Sequence, residues 1–332
     1  YNRLKVQLPG YRISIPSADK EESKFIVRTY SDRSLGAAYL YEKATNKLTK
    51  LHEISPWIKE SDMAEMKPIT YTTKDGLTIH GYLTLPPGVK EAKNLAKGGT
   101  KELLLIAQDS TYYGLDLYKK RNLADLMRNL SDVEGIEWIR LHYAFPAGFP
   151  MDVLDVMAER PNICKYLDIP LQHGSTNMLK IMRRGITREK TEELIHTIRE
   201  RVPGIAIRTT MIAGHPGETE AEFQEMMTFI EKMRFERLGV FGYSHEENTH
   251  AYSLPDDVPA EVKQERIDAV MELQQGISLE LNQAKIGSIQ KVIIDRKEGG
   301  EFLGRTEFDS PEVDNEVLIP ASQYVRLGDF AD

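Results

Sequence analysis

The rhythm of apolar and polar positions changes near residue 91. Before it, short runs alternate with period two. FIVRTY (25–30) and AAYLYEK (37–43) are rich in β-branched and aromatic residues and flank a turn at SDRSLG. KLTKL follows a turn at Thr45-Asn46, so residues 25–52 read as paired strands. KPITYTTKDGLTIHGYLTL (67–85) predicts a hairpin closed by the type I′ pair Asp75-Gly76, and Pro86-Pro87-Gly88 ends it. Beyond residue 91, short continuous apolar runs alternate with helical spacing. Strands are expected over 101–108, 135–144, 164–172, 204–214 and 237–244. Helical patterns lie between them, at Leu117 to Leu130, in FPMDVLDVMAER, over 176–201 with a break near Gly185, and over 218–233. A long helix is expected over 259–285. Strands alternating with helices predict a parallel α/β barrel or a doubly wound sheet. Residues 286–330 return to short, turn-rich strands and suggest a small β domain.

Composition changes this picture little. The chain has 332 residues, 41% hydrophobic and 28% charged, as in ordinary globular proteins. No apolar run reaches membrane-spanning length, and the amino-terminal stretch is mixed and polar, which predicts a cytoplasmic protein with neither leader nor membrane partner. A single cysteine rules out a disulfide framework and a Cys-rich metal site within these residues. Charge is uneven: +4 over 1–90, −7 over 91–285 and −5 over 286–332. The acidic carboxy-terminal segment argues against DNA and permits a basic protein partner; a plain solvated surface explains it equally well.

Parallel barrels carry their ligand groups at the carboxy ends of strands. Polar residues fall there as Gln108-Asp109, Gln172-His173-Gly174-Ser175, Arg208 to His215, and Tyr243-Ser244. His173 and His215 suit structural roles as well as cofactor contact. Ser175 can cap the following helix, and Glu218 can sit at a helix start where carboxylates favour the dipole. No HxH or HExxH spacing, GxSxG elbow, GxxxxGK[ST] loop or GxGxxG turn occurs.

The words themselves go further. KELLLIAQDSTYYGLDLY, WIRLHYAFPAGFP, YLDIPLQHGSTNMLKIMRRG, IRTTMIAGHPGETEAEF, YSHEENTHAY and GRTEFDSPEVDNEVLI together resemble the radical-SAM ribosomal-protein methylthiotransferases, the RimO family, over about 91–330. Transfer-RNA methylthiotransferases share PGETE but fit AQDSTYYG and EFDSPEVDNEV less well. The resemblance implies a partial radical-SAM (β/α) barrel at 91–285 and a truncated TRAM-like β domain at 286–332. It implies S-adenosylmethionine held by Gln108, Asp109, Gln172, His173, Ser175, Arg208, Thr210, Tyr243 and Ser244, and a basic ribosomal small-subunit protein, methylthiolated at an aspartate, as partner. The family's 4Fe-4S cluster needs three thiolates in a CxxxCxxC loop. That loop and the first barrel strand have no counterpart here, and Cys164 fits a small buried residue, so no catalytic or metal residue is assigned and no turnover is expected.

Residues 1–90 form the remaining segment. YLYEKATNKLTKL and KPITYTTKDGLTIHGYLTLPPG resemble the last propeller blade and hydrolase entry hairpin of prolyl oligopeptidases. That family's nucleophile word is missing, which leaves His80 without a partner. The join in GVKEAKNLAKGG reads as a chimera. Two other readings follow, a non-catalytic S-adenosylmethionine or ribosomal-protein binding module and a serine peptidase fragment.

Overall fold

A computed structural model describes residues 2–31, 34, 36–54, 66–72, 78–84, 88–247 and 249–331. It divides into two units, Tyr1–Gly98 and Gly99–Asp332.

In the first unit, α1 (Asn2–Gln7) precedes an antiparallel meander of β1 (Arg12–Ala18), β2 (Lys24–Tyr30), β3 (Ala37–Glu42) and β4 (Lys47–Glu53), paired in chain order. Period-two alternation turns Val27 and Tyr41 inward, where they meet Leu4 and Leu8. Gly36 is obligatory at the β2–β3 connection. Its φ is +89°, and a Cβ there would lie 1.6 Å from the Thr29 carbonyl oxygen. The second expected hairpin forms from β5 (Met66–Thr72) and β6 (Thr78–Thr84). Its Asp75-Gly76 turn, Pro86-Pro87 and the His80 side chain lie outside the described residues. Helix α2 (Gly88–Lys97) closes the unit.

The second unit is built on five parallel strands, β7 (Glu102–Leu105), β8 (Trp138–Leu141), β9 (Ile163–Asp168), β10 (Ala206–Ala213) and β11 (Arg237–Gly242), also in chain order. The crossovers carry α3 (Leu115–Tyr118), α4 (Leu123–Ser131), α5 (Asp152–Glu159), α6 (Thr176–Ile181), α7 (Arg188–Arg201) and α8 (Glu220–Met233), and α9 (Ala260–Gln283) follows β11. Helices and strands bury Met127, Ile139, Leu141, Met157, Leu167, Ile198, Met211, Phe229 and Phe235 between them. Each such side chain contributes roughly 1.5–3 kcal/mol by leaving water. Gly174 permits a close approach of α8, since a Cβ there would lie 2.7 Å from Phe229 Cβ and 2.9 Å from Met226 Cα. The helical break at Gly185 holds, with φ +68° between α6 and α7. Strand β8 is shorter than the expected 135–144 because Gly135 and Tyr143 both take positive φ and bend the backbone out of register.

The carboxy-terminal domain is an antiparallel sheet of β12 (Val292–Glu298), β13 (Glu301–Thr306), β14 (Val317–Pro320) and β15 (Phe330–Ala331), ordered β14-β13-β12-β15. One face closes over Val292, Ile294 and Phe302. From the other, Ile293, Phe308 and Phe330 pack against Trp138, Cys164, Tyr166 and Ala206 of the parallel sheet. The β domain therefore sits on the sheet face opposite the helices.

Candidate functional site

Strand register defines this inner face. The pairs Glu102↔Trp138, Leu104↔Arg140, Tyr166↔Ala206, Asp168↔Arg208, Thr210↔Gly239 and Ile212↔Phe241 share one side of the sheet. Towards the amino ends of the strands the β domain covers it. Towards the carboxy ends it is open, with Leu104 at 42% and Phe241 at 64% exposure. An apolar surface open at the strand ends and closed below is the usual setting of a ligand site in parallel α/β folds.

Six of the expected contact residues lie around this opening. Gln108 is exposed just past β7. Asp109 accepts from Thr111 N (2.9 Å) and Thr111 Oγ1 (2.6 Å), fixing the turn beyond it. Gln172 takes φ +76° and extends the sheet beside β10, donating its N–H to Thr210 O and accepting from Ile212 N. Thr210 is half-buried on the inner face. Tyr243 stacks edge-on against His215 at 5.1 Å, and its hydroxyl lies 3.2 Å from His245 Nδ1. Ser244 Oγ donates to Glu246 Oε1.

The other three lie elsewhere. His173 is fully buried, with Nδ1 accepting from Ser175 N (2.9 Å) and Nε2 3.3 Å from Glu218 Oε2. Ser175 occupies the start of α6, but its buried hydroxyl makes no capping bond. Glu218 does not open the helix. It is buried before it, accepts from Gly214 N (2.9 Å) and pairs with Arg266 Nη1 (2.8 Å). The α8 start is capped instead by Thr219 and Glu222. The carboxylate at 218 thus ties the glycine turn to α9. Burial pushes the pKa of His215 below its ordinary value. Arg208 lies deeper on the inner face, with Nη1 3.3 Å from Asp168 Oδ1 and Nε 3.3 Å from Asp314 Oδ1. Burial opposes its charge, but Asp168, Tyr166 and Asp314 outweigh that and raise its pKa.

Arg208 belongs to a charged floor that inspection of the strands alone passes over. Arg140 is fully buried, donates to Glu102 Oε1 (2.9 Å) and to Glu307 O (2.7 Å), and lies 4.8 Å over the Tyr166 ring. Arg237 Nε donates to Asp309 Oδ1 (2.8 Å). Tyr166 donates its hydroxyl to Asp314 Oδ2 (2.8 Å), and burial together with the Asp314 charge raises its pKa. His142 Nδ1 stands 3.6 Å from Asp168 Oδ2, and its Nε2 lies 3.1 Å from Ser310 Oγ. Arg184, between the loops after β8 and β9, stacks over Phe145 at 4.4 Å and donates to Pro170 O; burial lowers its pKa to about 10. The available signal was an arginine in each of three otherwise apolar strands, because a buried guanidinium requires an acidic or carbonyl partner.

Comparison with known proteins agrees with this architecture. Residues 83–230 match the Radical SAM superfamily, and residues 286–332 match the TRAM domain. The chain is 69% identical over 245 residues to the ribosomal protein uS12 methylthiotransferase RimO of Cytophaga hutchinsonii, covering 74% of this chain and 56% of that protein. It is 55% identical over 302 residues to the RimO of Flavobacterium johnsoniae, covering 90% and 69%. With that of Bacteroides thetaiotaomicron it shares 47% over 321 residues, covering 96% and 73%. The two longer alignments run well into residues 1–98, at lower overall identity. Against the first of these relatives, the chain spans about half the protein's length. An open inner face on a parallel sheet, a β domain seated below it and these identities have one common explanation: the chain belongs to the RimO family of radical-SAM methylthiotransferases.

Proposed function

We propose that residues 99–332 bind S-adenosylmethionine on the open, carboxy-terminal half of the inner face. The observation that carries this reading is that the face is exposed at the strand ends, along whose rim Gln108, Asp109, Gln172, Thr210, Tyr243 and Ser244 are placed in the last half of β10 or just past the ends of β7, β9 and β11. The fit is chemical as well as spatial. Leu104, Ile212 and Phe241 offer apolar surface to a nucleoside and thioether chain, and the backbone and side-chain polar groups around them suit its amino-acid and ribose ends. By relationship to the uS12 enzymes, the substrate is an aspartate of that small-subunit ribosomal protein, presented from the side of the β domain.

An iron–sulfur cluster does not fit the residues present. Cys164 is the chain's single thiol; it is fully packed, and burial pushes its pKa up to about 12, far from the thiolate that iron requires. Among the described residues no group of His, Cys, Asp and Glu forms a metal site. We infer that these 332 residues by themselves bind the cofactor without turning it over.

Calorimetric titration with S-adenosylmethionine tests the binding. Saturable one-to-one binding is expected. Gly239→Trp should abolish it, because a side chain at Gly239 points onto the inner face with no atom within 4 Å of its Cβ. Heat that fails to saturate, or binding unaffected by that substitution, would contradict the reading.

For residues 1–88 the sequence resemblance alone proposes a peptidase-derived segment joined near Gly88–Gly99; against it, the Radical SAM match begins at residue 83 and the alignments over 302 and 321 residues run through that join. Labelling by a serine-reactive fluorophosphonate checks for residual peptidase chemistry, and none is expected.

A further inference from the structure

The carboxy-terminal domain is acidic in sequence, which invites the idea of a basic partner gripped from outside. Three of those acids face the parallel sheet instead. Asp309 is held by Arg237, Asp314 by Arg208 and the Tyr166 hydroxyl, and the Glu307 carboxylate accepts from Lys165 N. In the opposite sense, Arg305 of the β domain reaches Glu102 on β7 (2.7 Å). The side chains of Arg140, Arg237, Arg305, Asp309 and Asp314 are all no more than 7% exposed. Among the described residues of the domain six acids remain exposed, Asp295, Glu298, Glu301, Glu312, Glu316 and Asp329, against the four bases Lys291, Arg296, Lys297 and Arg326.

We propose that residues 305–314 form an internal electrostatic latch, in which the domain's acids dock it onto the arginines of the sheet floor and Asp314, acting through Arg208, sets the lower boundary of the cofactor face. The latter part rests on the cofactor reading above; the docking part does not. The geometry gives Asp314 this position. Arg208 and Thr210 lie on the same face of one strand, about 6.6 Å apart at the usual rise. An arginine released from both carboxylates is long enough to reach the level of Thr210, inside the open half. Gripped by Asp168 and Asp314, it stays below. Asp314 is thus a positioning residue. Charged pairs at this depth need good geometry to be tolerated at all, and they fix one docking register in return.

The test uses the full chain and three variants. In Asp314→Asn, amides of 292–306 should exchange hydrogen about tenfold faster, and proteolysis in the 284–291 connection should rise. S-adenosylhomocysteine should bind about fivefold more weakly, measured by calorimetry well below the unfolding temperature. Asp314→Glu should restore most of the affinity. Tyr166→Phe removes only one hydroxyl and serves if Asp314→Asn does not fold; it should move both readouts in the same direction by about threefold. A purely structural role would lower the unfolding temperature and leave affinity in the folded protein unchanged, and that result would overturn the positioning claim. Exchange within about twofold of the unaltered chain in both variants would overturn the latch itself. If the unaltered chain binds no S-adenosylhomocysteine, the cofactor reading and the positioning claim fall together, while exchange still decides the docking.

Discussion

Removing the Glu218 carboxylate is the sharpest perturbation of the helix side of the site. The residue is 4% exposed and joins three elements: the Gly214 turn after β10 through its N–H, Arg266 of α9 at 2.8 Å, and His173 before α6 at 3.3 Å. Glu218→Ala leaves Arg266, itself 7% exposed, with the Glu218 carbonyl at 3.1 Å, the exposed Glu220 carboxylate at 3.5 Å and the Phe223 ring at 5.2 Å. Breaking a buried pair in this way costs about 3–5 kcal/mol. Glu218→Gln keeps an acceptor for the Gly214 amide and loses only the charge, so its cost should be about 2 kcal/mol. Against a typical domain stability of about 5–15 kcal/mol, the alanine variant forfeits a large share. Because the chain has two units, unfolding must be followed in one of them. Urea denaturation read by Trp138 fluorescence, in a Trp57→Phe background, isolates the second unit. An alanine variant within about 1 kcal/mol of the parent would refute the assignment of Glu218 as a structural keystone.

Other consequences are simpler to check. Gly174→Ala should cost about 1–3 kcal/mol, since its Cβ meets backbone as well as Phe229; a neutral result in the same denaturation assay would mean α8 can retreat. Gly36→Ala should destabilise the first unit while leaving the Trp138 transition in place, because its Cβ would overlap the Thr29 carbonyl. Native Cys164 should resist a thiol reagent at pH 8 and react on unfolding, because burial pushes it up to about 12; rapid native labelling would contradict its packing. His215 has a lowered pKa in the fold, so protons bind the unfolded chain more readily. Its neutral form stabilises fully above the ordinary value of 6.5, and that stability falls as pH drops below it. His215→Phe should flatten the stability profile on that side.

Much of the second unit was legible from sequence because a parallel sheet covered by helices demands continuous apolar strands and one-sided helices. Strand β10 and helix α8 fall close to where periodicity puts them, and Gly185 breaks the helix as its spacing implies. What escaped were pairings between residues far apart in the chain. Nothing near Arg140 announces that its carbonyl partner is Glu307, 167 residues on. Arg208 shows that strand order does not give depth on the sheet. It lies early on β10, level with Asp168 at the end of β9, and the parallel stagger puts it on the floor. The burial of His173 and Ser175 has a related cause. Gly174 lets α8 approach so closely that its neighbours are sealed from solvent, a consequence of packing that no local pattern encodes.

The most direct measurement is an amide chemical-shift map of the isotopically labelled chain titrated with S-adenosylhomocysteine. The account predicts saturable shifts grouped at 107–109, 172, 210–214 and 239–244, with 305–314 little changed. Shifts confined to the floor or to residues 1–98, or no saturable shift at all, would contradict the placement of the cofactor on the open half of the inner face.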